Sequence, residues 1–368
     1  MSSPERLPAD AAPPPPTDLG RTRLLYLPDE GEIGDQAAPR RAFARLADEG
    51  RLAGYEAFSF LVEARSGGPD EAIAQLLALV DRFAPTVILW SHPGRFPVTA
   101  GLVEGLRARP DRPVIALQDM DAYGQVRARP GKGTRTLART ADVVYLSGRG
   151  PLTRVFRRWG ARHIRYAFAG VDTVRFGTPW TPSRERELDV VMIANRSRGR
   201  YPGTARPGAR PRVHLAAELQ RRHGDRFGLY GAGWDGFPSA LGPVDFDRQT
   251  EINRRAWVSA SWDHFPRIGS YCSNRVPISL LSGIPHVTNY NPGLDTIYPP
   301  GSGLFWVRSV RAVADTVDRI LAETIDERLA LGRYAEAFAR RHRDQEELTV
   351  RLLEDLVALR SADLAPVA

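Results

Sequence analysis

Short, almost wholly apolar runs recur along this chain, and each is followed by a segment with helical spacing of its apolar residues. Leu24–Leu27, Tyr55–Leu61, Thr86–Trp90, Pro113–Leu117, Asp142–Leu146 and Ile164–Phe168 alternate with helical segments at 39–50, 70–83, 98–107, 132–139 and 152–159. A strand that is apolar on both faces is stable only where both faces are covered, which is the condition inside a parallel sheet with crossover helices. After a Pro-containing stretch, Gly177–Glu187, the alternation restarts. Strands are predicted at 189–193, 227–230, 258–262, 286–290 and 305–307, and helices at 213–222, 248–255, 271–282, 310–323, 327–341 and 345–360. A chain of 368 residues exceeds what one hydrophobic core organises. The pattern therefore predicts an α/β protein with two Rossmann-like, doubly wound parallel-sheet domains in tandem. Its expected divisions are a disordered tail at 1–20, a first domain at 21–176, a linker at 177–187, a second domain at 188–342 and a C-terminal helix at 343–368.

Composition narrows the class. No apolar run approaches the roughly 20 residues needed to span a bilayer. The first 20 residues are Pro- and Ala-rich rather than basic then apolar, and the chain has a single cysteine, Cys272. These features lead to the expectation of a cytoplasmic protein without a disulfide framework. The net charge is +8, carried almost entirely by arginine, since Lys132 is the one lysine. The arginines are scattered over many helices, and no basic stripe interleaved with aromatics is visible, which argues against nucleic acid as the partner. Such a bias fits GC-rich coding, as expected of a bacterial source, and a charged nucleotide donor would account for a smaller local basic site.

In open parallel sheets, ligands bind beyond the carboxyl ends of the strands. In the second domain that rule selects Asn195, Arg196 and Arg200, which fit either a diphosphate-wrapping loop or a solvated basic loop. It also selects Gly231, Gly233 and Trp234, where close backbone approach to a ligand competes with a plain turn. His264 follows the strand at 258–262 as a donor-sugar contact or a cap. Ser273, Asn274 and Arg275 stand where a helix is expected to begin, and a helix N-terminus with an arginine suits an anion. In the first domain the rule selects His92, Asp119 and Asp121. Asp119, or His92, is the candidate general base, against a structural histidine and simple capping. Asp29, Glu30, Glu32 and Asp35 crowd the first βα loop. They make a base, a site for a cationic acceptor, or a solvated loop. The chain lacks GxxxxGK[ST], an HExxH or paired-Cys zinc pattern, a GxSxG elbow, and GxGxxG in the first βα loop. Asp-Met-Asp at 119–121 resembles a metal-binding DxD, but a tandem-domain chain with arginines at the anion site predicts no metal and no cofactor.

Several collinear segments resemble a known family. Leu188–Asn195, Phe227–Trp234, Ser273–Val276 through Gly283-Ile284-Pro285, and the late helices with Glu327-Arg328 and Gly332 are similar to the donor domain of GT-B fold glycosyltransferases. The closest resemblance is to the CgeB-related and group 1 glycosyltransferases. Gly170–Phe176 is similar to their interdomain segment. The resemblance covers roughly residues 165–345, and the first half agrees only in layout. It implies a GT-B arrangement of two domains facing a cleft, a nucleoside-diphosphate sugar as donor, and a small-molecule acceptor on the first domain. A specialised metabolite suits that acceptor. It also implies that the last helix packs back on the first domain. One departure stands out: the family's ribose-binding Glu aligns with Ile278. A non-catalytic nucleotide or nucleotide-sugar binding protein is therefore the alternative. The donor's nucleotide and sugar, the acceptor, inversion versus retention, and a homodimer all stay open.

Overall fold

The computed structural model describes residues 18–123, 130–168, 170–197 and 206–363. The first sheet comprises β1 (Arg23–Leu27), β2 (Gly54–Ala57), β3 (Val87–Ser91), β4 (Val114–Asp119), β5 (Val143–Leu146) and β6 (Ile164–Tyr166), ordered β2-β1-β3-β4-β5-β6. Its helices are α1 (Ala37–Asp48), α2 (Phe60–Ser66), α3 (Pro69–Phe83), α4 (Ala100–Arg107), α5 (Lys132–Thr140) and α6 (Pro151–Arg158). The second sheet comprises β7 (Leu188–Ile193), β8 (Phe227–Tyr230), β9 (Ala256–Ala260), β10 (His286–Asn289) and β11 (Leu304–Val307), ordered β11-β10-β9-β7-β8. Around it and beyond lie α7 (Ala209–His223), α8 (Gln249–Arg254), α9 (Arg275–Leu281), α10 (Leu294–Ile297), α11 (Val310–Ala322), α12 (Ile325–His342) and α13 (Gln345–Asp363). Every pairing between these strands is parallel.

The central strands are largely apolar because alternate residues serve opposite buried faces. In the first domain Leu25, Leu27, Ile88 and Trp90 join one core, which also contains Leu76 of α3 and Leu102 of α4. Leu24, Tyr26, Val87 and Leu89 join the other, with Phe43 of α1. That second core also contains Leu353 and Leu356 of α13, so the last helix completes the first domain. The chain thus crosses between domains twice, and the crossings are tied together. Val171 N–H donates to Arg343 O at 2.8 Å, and Gln345 N–H donates to Val171 O at 3.0 Å.

Two local expectations change, and one short helix was not foreseen. The strand predicted at 55–61 stops at Ala57, because Phe60 turns into the core between Trp90 and Phe96 and opens α2. The helix predicted at 271–282 begins only at Arg275 and has seven residues; Tyr271 to Asn274 lead into it without a side-chain cap. The four-residue α10 is too short to leave a periodic signal.

In both sheets the winding direction reverses once, between β1 and β3 and between β7 and β9. Such reversal points open crevices at the strands' carboxyl ends. The segments that follow these four strands carry Asp29, His92, Asn195 and Asp263-His264.

Candidate active site in the interdomain cleft

A cavity of about 260 Å³ lies between the domains. Asp29, His92 and Asp121 line it from the first domain, Asn274 and Ile278 from the second, and Arg175 and Phe176 from the crossing segment.

On the first-domain side, adjacent strands β3 and β4 end side by side, with Ser91 opposite Gln118. This register brings His92 against Asp119. Asp119 is fully buried, and its carboxylate is surrounded by donors. It accepts from the Asp121 N–H at 3.0 Å and from the Tyr123 hydroxyl at 3.1 Å, and it bonds His92 Nδ1 at 3.1 Å. A buried carboxylate held in this way cannot itself reach an acceptor hydroxyl, so the expectation of Asp119 as the base is corrected. It holds the imidazole by Nδ1 and leaves the other ring nitrogen to His92's cleft-lining side, the arrangement of an oriented general base. Burial opposes the charged imidazole, but the Asp119 hydrogen bond and the charges of Asp119, Asp121 and Asp29 outweigh it, and the pKa of His92 is pushed up to about 9. Burial raises the Asp29 and Asp121 carboxyls as well, each helped by Asp119. His92, Asp119 and Asp121 present ligand atoms within 4.8 Å of one another, close enough to share a cation. The hydrogen bonds already on both Asp119 oxygens make an oriented imidazole the better description.

The carboxylates of the first loop divide by role. Glu30 is fully buried and accepts from Arg40 Nε at 2.7 Å and from the Ser59 hydroxyl at 2.8 Å. Burial raises its pKa, but the hydrogen bonds from Arg40 and Ser59 bring it below its ordinary value. The Asp35 carboxylate caps the N–H groups of Gly31 and Glu32, at 2.8 Å each. Both shape the loop. Asp29 is the carboxylate of this loop that stands beside His92 electrostatically.

On the second-domain side, several residues singled out from sequence prove to be joints. Asn195 Oδ1 accepts from the Ala232 N–H at 3.0 Å, and the Arg196 N–H donates to Ala232 O at 2.9 Å. Gly231 has φ +130°, and a Cβ there would overlap the Ala194 carbonyl. The glycines therefore let two strand-end loops touch. Trp234 is corrected from donor contact to core residue: it is buried, and its indole N–H donates to Ala194 O at 2.6 Å. The Arg196 guanidinium lies 5.7 Å from the centre of the Trp234 ring. Arg200 lies outside the described residues.

Sequence reasoning missed what surrounds His264. Arg212 of α7 is buried, and its guanidinium donates to Trp262 O at 2.7 and 3.0 Å and to Asn195 O at 2.9 Å. It also meets His264 Nε2 at 2.7 Å. Since a guanidinium can only donate, Nε2 accepts and the proton of the neutral ring sits on Nδ1, which is buried without a partner among the described residues. Burial, with Arg212, Arg206 and Arg275 nearby, pushes His264 down to about 3. Arg275 is held by Ser273 Oγ at 3.2 Å, and its Nε is buried with no partner among the described residues. Asp263, fully buried and accepting from Asn291 Nδ2 at 3.2 Å, is the carboxylate that offsets Arg212 and Arg275. Burial nevertheless pushes Asp263 up to about 6. Burial also lowers Arg212 to about 10 and lowers Arg275. Arg212 and Arg275 thus share one counter-charge, and the exposed Arg206 extends the positive field toward Asp121 of the opposite domain. A desolvated excess of positive charge favours binding of an anion.

Residues 210–354 match a family model described as glycosyl transferase-like. Among solved structures, HepE from Anabaena with UDP and glucose is similar over 94% of this chain and 100% of its own, at 12% identity and a TM-score of 0.55. Sucrose-phosphate synthase from Thermosynechococcus elongatus is similar over 93% and 100%, at 14% identity and 0.59. A glycosyltransferase from Rickettsia africae is similar over 92% and 98%, at 10% identity and 0.60. No curated protein matches by sequence. At such identities the likeness establishes the two-domain fold, and the family match covers part of its second half.

Proposed function

We propose that this chain, a glycosyltransferase of the GT-B fold, transfers a sugar from a nucleoside-diphosphate donor on its second domain to a hydroxyl of a small acceptor on its first. The observation that carries the reading is the charge pattern across the cleft. Arg212 and Arg275 leave a buried positive excess on one side, with the exposed Arg206 beside them, and a carboxylate-oriented imidazole stands on the other. Stabilising the departing diphosphate is the largest electrostatic demand of such a transfer. In this reading Arg275 and Arg206 meet that charge directly, and the proposal calls for no metal. Arg212 holds the loops and the His264 tautomer. HepE has been crystallised with UDP and with UDP-glucose, which makes a uridine diphosphate sugar the first donor to try.

At the reacting centre, His92 accepts the proton of the acceptor hydroxyl as that oxygen attacks the anomeric carbon and the bond to the diphosphate breaks. The imidazolium that results is stabilised by Asp119. The test is a thermal-shift panel of nucleoside diphosphates, followed by measurement of diphosphate release from the matching sugar donors. A rise in melting temperature with one nucleoside diphosphate and slow release from its sugar derivative are expected. If no nucleoside diphosphate shifts the melting temperature, the reading fails.

A further inference from the structure

The outer face of α5 and α6 takes no part in the cleft. Between residues 132 and 163 the sequence contains one carboxylate, Asp142, and Arg107 is paired with it at 2.5 Å. α5 exposes Lys132, Arg135 and Arg139, three or four residues apart and so on one side. α6 exposes Arg154, Arg157 and Arg158 in the same way. The opposite sides are committed, since Leu137, Leu152 and Phe156 are in the first core. The two helices adjoin, because Gly160 at the end of α6 rests against the Arg139 side chain. Six cations therefore form one surface, and none has a carboxylate partner among the described residues. The sequence shows only dispersed arginines, and the fold gathers these six.

We propose that this face docks on an anionic lipid surface. Like charges so close together repel one another, and an array of anions relieves that repulsion. The shape argues for a membrane over nucleic acid. Both helices lie flat, with their inner sides packed, so neither can enter a duplex groove. The aromatics here are Phe156, buried, and Trp159, packed against the core, so no stacking platform for single strands is exposed. A broad array of arginines matches a planar array of headgroups. Attachment would be peripheral: no described helix is long and apolar enough to cross a membrane. The inference is independent of the sugar-transfer reading.

Vesicle co-sedimentation of the full chain tests it, comparing phosphatidylcholine vesicles with equal mixtures of phosphatidylcholine and phosphatidylglycerol. Binding only to the anionic vesicles, lost in high salt, is expected. Arg154→Gln, Arg157→Gln and Arg158→Gln combined should lower vesicle affinity about a hundredfold while the UDP-induced thermal shift is kept. Arg333→Gln with Arg341→Gln, on exposed α12 positions of the other domain, should leave binding unchanged. Equal binding to neutral vesicles, or full binding by the triple variant, overturns the proposal. So does an equal loss in the α12 variant, or a DNA duplex that anionic vesicles cannot displace. The nucleotide shift, read on the same samples, reports separately on the donor site.

Discussion

Replacing Asp119 by Asn isolates the pairing on which the proposed base depends. The change keeps the size of a fully buried side chain and removes its charge. In the parent protein the imidazolium of His92 is favoured by that charge, which helps lift its pKa from 6.5 to about 9. The lift corresponds to about 3 kcal/mol. At pH 7 the base form would then be about one part in a hundred, so kcat/KM should climb with pH and level off near 9. In Asp119→Asn two things happen together. The pKa falls back toward its ordinary value, which moves the rising limb to lower pH. The carboxamide also presents an N–H where two donors, His92 Nδ1 and Tyr123 Oη, expect an acceptor, which favours the wrong imidazole tautomer. The plateau should therefore drop by about 10²–10⁴-fold, the range a general base contributes.

The assay is release of nucleoside diphosphate from the sugar donor, with acceptor, across pH 6 to 10. A variant limb that stays near 9, or a plateau equal to the parent's, would refute the assignment. Stability gives an independent reading with a definite sign. A histidine whose folded pKa is raised stabilises fully below its unfolded pKa of 6.5, and that stabilisation is lost as pH rises through about 9. The melting-temperature difference between parent and variant should thus be largest near pH 6 and shrink above 9. A difference that grows with pH contradicts the pairing.

Further outcomes follow from the second domain. Arg275→Ala should weaken nucleoside-diphosphate binding by roughly 1.5–3 kcal/mol, the value of hydrogen bonds to a charged group, seen by calorimetry with the fold kept. Arg212→Ala should instead cost stability by about 3 kcal/mol, because it strips donors from two backbone carbonyls and leaves buried Asp263 with Arg275 as its remaining near cation; chemical denaturation measures it. Trp234→Phe should lower stability by about 1 kcal/mol through loss of the Ala194 hydrogen bond and leave donor KM unchanged. A raised KM alone would return Trp234 to the binding site. Gly208→Ala places a Cβ against the carbonyl of Asp263 and should displace the Asp263-His264 corner, lowering donor affinity and melting temperature together.

The architecture was legible because a doubly wound sheet writes its strands as uninterrupted apolar runs. Val87–Ser91 and Leu188–Ile193 fall within a residue or two of where the pattern put them. Strand-end positions were legible too, since knowing where a strand stops says which residues face the cleft; the pattern picked out His92, and it lines the cavity. What stayed hidden was which side chains the fold consumes. Trp234 and Asn195 look like binding residues in a strand-end loop, yet one fills the core and the other ties two loops together. Arg212 gives the opposite error. It is one arginine among several in α7, and only tertiary packing buries it against Trp262 and His264. Tyr123 was invisible for the same reason, since its hydroxyl meets Asp119 through a turn that no periodicity encodes.

The arginine bias of the chain looks compositional until its members are sorted by what faces them. Some surface arginines have a carboxylate within reach, as Arg221 has Glu218 and Arg248 has Glu251, and exposed pairs of this kind contribute little. Arg40 and Arg41 are different: one fixes a buried Glu30 in the first loop, and the other bridges Asp172 and Glu346 where the chain crosses between domains. Arg212 and Arg275 are different again, because they outnumber the single carboxylate near them and are desolvated by burial. A folded chain tolerates such an imbalance at a cost, and a bound anion removes that cost. It follows that nucleoside-diphosphate binding should stabilise this protein more than contact area alone suggests. The gain should persist at salt concentrations that screen the exposed pairs, since buried charges are screened least.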